Sequence, residues 1–384
     1  MTTAPVTPEC LRRAVERSGR SRADLLAKFP KLPEWERGAS QPTLRQAQAF
    51  ARAVYVPVGA LFLSRPMDAP LPIPDFRTLP SRSVTGPSPN LLEAIYTCQE
   101  RQNWYRDFAR ATGQPERAFI GGATPATPPA AAAADIGRTL GFTAPPFRGC
   151  AIWADALRMF IRHAEQAGVL VMVSGIVRSN TRRRLDVDEF RGFALADPLA
   201  PLIFINGADT KAAQMFTLAH ELAHLWLGAT ALSNPNAAPE PGRQEMWCNA
   251  VAADLLVPMG AFRESLNGDE PRVDALERLA RLFKVSALVI LRRLLDAGRI
   301  DHARFDHEWN AEIKRGRDRA GQVRQSGGGD FHRTTLSRVG RRFARALITS
   351  TLEGQTLYRD AFQMLGISKT ETLNKLGHAA GVLE

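Results

Sequence analysis

The sequence predicts an α+β fold in which helices dominate and a small sheet sits in the middle of the chain. Three observations carry this expectation. Short helical patterns punctuated by Pro, Gly and Ser occupy both ends of the 384 residues. Three apolar runs of strand length, Gly168 to Val173, Phe193 to Ala196 and Leu202 to Asn206, cluster mid-chain, the last two as a hairpin around Asp197-Pro198. Immediately after them comes a long apolar helical run, Lys211 to Gly228, reading KAAQMFTLAHELAHLWLG.

A chain of this length has room for two or three domains, and its 45% apolar content supports packed cores. The expected division is 1–66, 67–134, 135–270, 271–300 and 301–384. Four scattered cysteines, Cys10, Cys98, Cys150 and Cys248, form no CxxC pair, which points to reduced thiols and a cytoplasmic location. The N-terminal MTTAPVTPECLRR has no apolar leader core, and no stretch is apolar enough to span a bilayer, so no membrane role is expected. The net charge of +11 fits either a polyanionic partner or a solvated arginine-rich surface.

Residues Pro8 to Pro66 read as several short helices joined by tight turns, with Ser21 and Asp24 as a capping signal and Pro42-Thr43-Leu44 opening a helix through Val54. The string Trp35-Glu36-Arg37-Gly38, Gln41-Pro42-Thr43-Leu44, Phe50-Ala51 and Val56-Pro57 with Leu61-Phe62 resembles XRE-type helix-turn-helix domains. Between Phe29 and Trp35 only five residues remain, two of them prolines, which leaves little helix to enter a major groove. Phosphate contacts need charge rather than a long helix, and Lys28, Lys31 and Arg37 are the DNA-binding candidates.

Pro66 to Pro89 reads as an extended proline-rich connector, followed by an amphipathic helix over Leu91 to Ala111 that places Leu91, Ile95, Tyr96, Trp104 and Phe108 near a common apolar face. Thr112 to Ala134, rich in Gly, Ala, Pro and Thr, is expected to be a linker and a domain boundary.

Within the apolar helical run, His220-Glu221-Leu222-Ala223-His224 spells HExxH. Positions i and i+4 lie one turn apart on one face, so both imidazoles reach one metal while Glu221 stands beside it toward a bound water. Apolar residues surround the helix on nearly every side, so the three polar groups are buried, and leaving them unpartnered would cost several kcal/mol. A zinc ion supplies the partner. A catalytic zinc takes a third protein ligand, and the next helix, Gln244 to Val257, offers Glu245, Cys248 and Asp254; spacing alone does not separate Glu245 from Cys248.

Phe216 to His224, followed by Glu245-x-x-Cys248-Asn249 and Ala252-Ala253-Asp254-Leu255-Leu256-Val257-Pro258, resembles the ImmA/IrrE family of metallopeptidases over roughly Trp153 to Arg299. The resemblance implies a zincin-like metallopeptidase core holding one Zn2+ on His220, His224 and Glu245, with Glu221 as the catalytic base. Cys248 stands where the family usually has alanine and is kept as a lesser alternative ligand. An exposed strand beside the metal would pair with an extended substrate.

Further on, Val273 to Phe283 and Ala287 to Asp296 form a second helix-turn-helix pattern with Ser286 as an N-cap, expected to pack on the zinc domain. Residues 301–384 combine a basic KRGRDR segment, a Gly327-Gly328-Gly329 hinge and a helical tail. The triple glycine is no phosphate loop, since no GK[ST] follows. The resulting functional expectation is a zinc-dependent endopeptidase that cleaves a specific regulatory protein, such as a repressor or a toxin-antitoxin partner. The rival is a DNA-binding regulator or antitoxin that keeps the zinc domain as a non-catalytic scaffold.

Overall fold

A computed structural model describes residues 3–66, 70–75, 86–142, 146–233, 242–267, 272–320 and 330–383, without the side chains of 272 and 316–320. The glycine hinge at 327–329 and most of the turn at 233–242 lie outside the described residues, as do most side chains of the basic segment at 314–319.

The N-terminal bundle comprises α1 (Pro8–Ser18), α2 (Arg22–Lys28), α3 (Leu32–Arg37) and α4 (Leu44–Ala53), closed by a 3-10 turn at Val58–Phe62. Phe29, Trp35 and Phe50 form its aromatic centre, with Phe29 and Phe50 edge to face at 5.5 Å. Thr43 and Gln46 make a reciprocal capping box that fixes the start of α4. Ser21 stands at the N-cap of α2, but its side chain caps no N–H, contrary to the sequence reading. Of the short stub before Trp35 only Leu32 to Glu34 are helical, opening the six-residue α3 with Pro33 tolerated in its first turn. The bundle rests on the rest of the molecule through Arg183, stacked 4.2 Å over Tyr55, and Arg17, which donates to Pro87 O at 2.9 Å.

Next come α5 (Pro89–Ala111), α6 (Pro129–Thr139) and α7 (Trp153–Gln166), then β1 (Leu170–Ser174), a small ribbon of β2 (Ile176–Val177) and β3 (Asn180–Arg184), β4 (Gly192–Leu195), β5 (Leu202–Asn206), α8 (Lys211–Trp226) and β6 (Ala231–Ser233). The main sheet has the order β1-β5-β4-β6, with β1 parallel to β5 and β4 antiparallel to both of its neighbours. The expected hairpin is present as β4 and β5, turned by Asp197, whose Oδ1 accepts the N–H groups of Leu199 and Ala200.

Period-two alternation divides the strands between two cores. Val171, Val173, Ala194, Ile203 and Ile205 face α6 to α8 and the helices that follow. Leu170, Met172, Phe193, Leu195, Leu202, Phe204 and Leu232 face the other way, against α5 and the C-terminal helices. Both faces are covered, which is why these strands read as continuous apolar runs.

The downstream helices are α9 (Arg243–Leu256), α10 (Met259–Glu264), α11 (Arg272–Phe283), α12 (Ala287–Asp296), α13 (His302–Ala320), α14 (Phe331–Val339), α15 (Arg341–Leu352), α16 (Tyr358–Leu365) and α17 (Thr370–Ala380). Leu276, Leu279, Ile290 and Leu291 join the α8 core, so α11 and α12 pack on it. Ser286 occupies the N-cap of α12, again without a side-chain bond. Gly340 sits against β1 so closely that a Cβ there would lie 2.8 Å from Val171 O.

The stretch 112–134 is not a linker between bodies. Arg117 donates its N–H to Pro198 O at 2.8 Å, Ala123 donates to Trp226 O at 2.9 Å, and Phe119 stacks on Trp226 at 4.4 Å. Its composition is low in bulk because the backbone comes close: a Cβ on Gly228 would lie 3.1 Å from the Cα of Gly121. On α5, Tyr96 is 51% exposed and does not join the core face expected for it.

Glu165, at the end of α7, is buried and accepts the N–H of Arg342 at 3.0 Å. Burial outweighs these bonds and pushes its carboxyl from 4.5 up to about 7. The folded state therefore holds this proton more tightly than the unfolded state, and stability falls as pH rises from about 4.5 through about 7. Its loss on going from pH 5 to pH 8, on the order of 3 kcal/mol, is measurable by urea unfolding. Glu165→Gln, which keeps the acceptor oxygen, is expected to flatten that slope.

Candidate metal centre

Thr210 starts α8 by accepting the N–H of Ala213 at 3.2 Å. From there the helix runs through the protein interior, with Gln214, Met215 and every residue from Thr217 to Trp226 buried. His220 and His224, one turn apart, present their rings on the same side at a centroid separation of 4.8 Å. Opposite them α9 brings in Glu245 in its first turn. His220 Nε2 lies 3.2 Å from Glu245 Oε2, His224 Nε2 lies 3.0 Å from Glu245 Oε1, and the two Nε2 atoms are 3.1 Å apart.

Two nitrogens and a carboxylate, all buried, suit a divalent metal ion. Ligand atoms bonded to zinc at about 2.0–2.1 Å in a tetrahedron stand about 3.3 Å apart, close to the separations found here. Burial raises the Glu245 carboxyl, but the hydrogen bonds and charges of His220 and His224 outweigh it and bring it down to about 2. Burial also lowers His224, so imidazole is held neutral and able to ligate.

Glu221 is fully buried beside this trio, and burial first, the Glu245 charge second, lift its carboxyl well above the ordinary range. No hydrogen bond of good geometry reaches either of its oxygens. The Ser233 hydroxyl, which bonds His224, is the nearby dipole that eases its charge. Glu221 also depends on Gly192 in β4, where a Cβ would lie 2.6 Å from Thr217 Cγ2, 2.9 Å from Phe204 O and 3.1 Å from Glu221 Oε1. Gly192→Ala is expected to cost about 1–3 kcal/mol in urea unfolding, because a backbone carbonyl cannot step aside.

The other candidates from α9 are engaged elsewhere. Asp254 pairs with Arg293 at 2.5 Å and takes no part in the site. Cys248 is buried in the α8 core, and burial drives its thiol pKa well up, as expected of a packing residue. Lys28, Lys31 and Arg37 lie exposed on the N-terminal bundle, and Lys28 rests 5.5 Å from the Phe29 ring.

A cleft of about 1160 Å³ borders the neighbouring turns of α8 and α9, while His220, Glu221, His224 and Glu245 are buried behind its lining. Phe216 and Thr217 of α8 and Met246 and Asn249 of α9 line one wall; Val289 and Arg292 of α12 and Phe305 and Trp309 of α13 line the other. On the sheet side, the outer edge of β6 is taken by the connector: Leu232 donates its N–H to Pro74 O at 3.1 Å.

Residues 164–295 match the family model described as the IrrE N-terminal-like domain. This span holds His220, Glu221, His224 and Glu245. The chain is also similar to the radiation response metalloprotease IrrE of Deinococcus radiodurans, at 38% identity over 106 residues. That similarity covers 26% of this chain and 32% of the relative, so the chain spans about a third of the relative's length. A second model, described as a domain of unknown function, matches residues 339–379, from the end of α14 into α17. The α13 wall of the cleft lies outside the IrrE-like span. Sequence reasoning missed Ser233 and Gly192: a lone serine ahead of a turn and a glycine between Arg and Phe carry no motif.

Among the described residues no helix is long and apolar enough to cross a membrane, and the four cysteines are free.

Proposed function

We propose that this chain is a cytoplasmic zinc-dependent endopeptidase that cleaves a specific regulatory protein, such as a repressor or toxin-antitoxin partner. The observation that carries the reading is the buried trio His220, His224 and Glu245 with the unsatisfied carboxyl of Glu221 beside it and a cleft alongside. His220, His224 and Glu245 would hold the zinc, which when bound would supply Lewis-acid polarisation of a scissile carbonyl and a more acidic water. Glu221, kept basic by its dry setting, accepts the proton of the attacking water and returns it to the leaving amine. The cleft receives the polypeptide, since the β6 edge is already paired with the connector. A base and ligand set buried inside the fold suit a selective enzyme better than a general digestive one.

Metal analysis tests the centre: about one zinc per chain is expected, falling to near zero in His220→Ala and His224→Ala, with folding checked by circular dichroism. A parent protein without zinc that still acts on its partner overturns the reading. DNA contacts through Lys28, Lys31 and Arg37 belong to the rival scaffold reading, in which partner binding survives loss of the metal.

A further inference from the structure

A further side-chain oxygen stands against the trio. Ser233, the last residue of β6, places its Oγ 3.2 Å from His224 Nε2, the nitrogen that also lies close to His220 and Glu245. The residue is wholly buried. Its position is set by the sheet and not by a flexible side chain: β6 pairs Ser233 with Gly192, and Arg191 donates its N–H to Ser233 O at 3.3 Å.

The 3.2 Å between Ser233 Oγ and His224 Nε2 falls in the same range as the separations of the other donors, 3.0 to 3.2 Å. All are close to the edge of about 3.3 Å expected for a zinc tetrahedron. The same hydroxyl faces the Glu221 carboxyl. It therefore touches both His224 and Glu221, the residues proposed above as ligand and base, between which an attacking water would be activated.

Resting on the metal centre proposed above, we infer that Ser233 Oγ closes the fourth coordination position of the bound metal in the resting protein. The chain would then be a latent peptidase, opened when water or a substrate carbonyl displaces the hydroxyl. The exchange is balanced: one metal–oxygen bond breaks as another forms, the serine keeps its proton, and no redox partner is needed. Closed sets of four protein donors mark structural zinc and open sets mark catalytic zinc. A neutral alcohol is a far poorer ligand than thiolate, so a serine closure is reversible where a cysteine closure would not be.

Cobalt substitution of the full chain tests this without any substrate. Metal-free protein titrated with Co2+ is expected to bind about one ion, and absence of binding refutes the metal centre itself. Given binding, Ser233→Cys is expected to add a thiolate-to-cobalt charge-transfer band in the near ultraviolet. The parent and Cys248→Ala proteins serve as controls for Cys248. Ser233→Ala is expected to change the cobalt d–d spectrum and weaken Co2+ binding by roughly tenfold. One bound Co2+ with no new band in Ser233→Cys overturns the inference. If that variant does not fold, an unchanged d–d spectrum in Ser233→Ala does so instead.

Discussion

Glu221→Gln is expected to reduce cleavage by about 10²–10⁴-fold while zinc stays near one per chain. The substitution keeps shape and removes only the ability to take a proton. In the folded protein it also removes a carboxyl that burial and the Glu245 charge already hold well above its ordinary pKa, so stability should not fall. That combination, inactive but at least as stable, separates a chemical role from a structural one. Cleavage is read as new protein N-termini by mass spectrometry, after adding purified protein to a lysate from cells lacking it. New termini appearing equally with parent and variant would sink the assignment of Glu221 as the base.

Arg101→Ala is expected to cost about 3–5 kcal/mol, as much as truncating a large core side chain. The guanidinium is buried between α5 and the C-terminal helices, donating to Met364 O from Nε at 3.1 Å and from Nη2 at 2.8 Å. It also lies 3.5 Å from Met172 Sδ and 5.9 Å from the Phe343 ring. Truncation leaves a cavity and a buried carbonyl without its charged donors. Urea unfolding gives the magnitude, and limited proteolysis should show early cuts within 331–380. A loss under about 1 kcal/mol would mean that water replaces the guanidinium at little cost.

The two histidines were legible because their signal is local, whereas Glu245 was singled out from Cys248 only by the family resemblance; the structure gathers His220, His224 and Glu245. HExxH sets two imidazoles one helical turn apart, and the helix that carries both Glu245 and Cys248 announces its own end with Val257-Pro258. The β4–β5 hairpin was legible for the same reason. What escaped depends on distant partners. β6 is three residues long and exists only because β4 lies beside it, so Ser233 carried no signal. Thr112 to Ala134 looked like a linker because small residues that permit close backbone packing have the same composition as residues that pack against nothing. Tyr96 shows the converse, since a helical face predicts neighbours without saying where that face ends. Arg101 and Met364 are 263 positions apart, beyond any pattern read along the chain.

The two-sided sheet has a consequence for how the molecule is made. Its α8 face draws on helices that lie largely next to the strands in sequence, so it can fill soon after β5 leaves the ribosome. Its other face, with Leu170, Met172, Phe193 and Phe204, waits for Leu336, Phe343, Leu347 and Leu373, whose synthesis comes more than a hundred residues later. During that interval a nascent chain displays much of that apolar face to solvent, covered by α5 and a few neighbouring residues such as Ile73 and Phe190. The metal centre can thus assemble on a molecule whose back is still open, and chaperone demand should peak after the centre is complete rather than before.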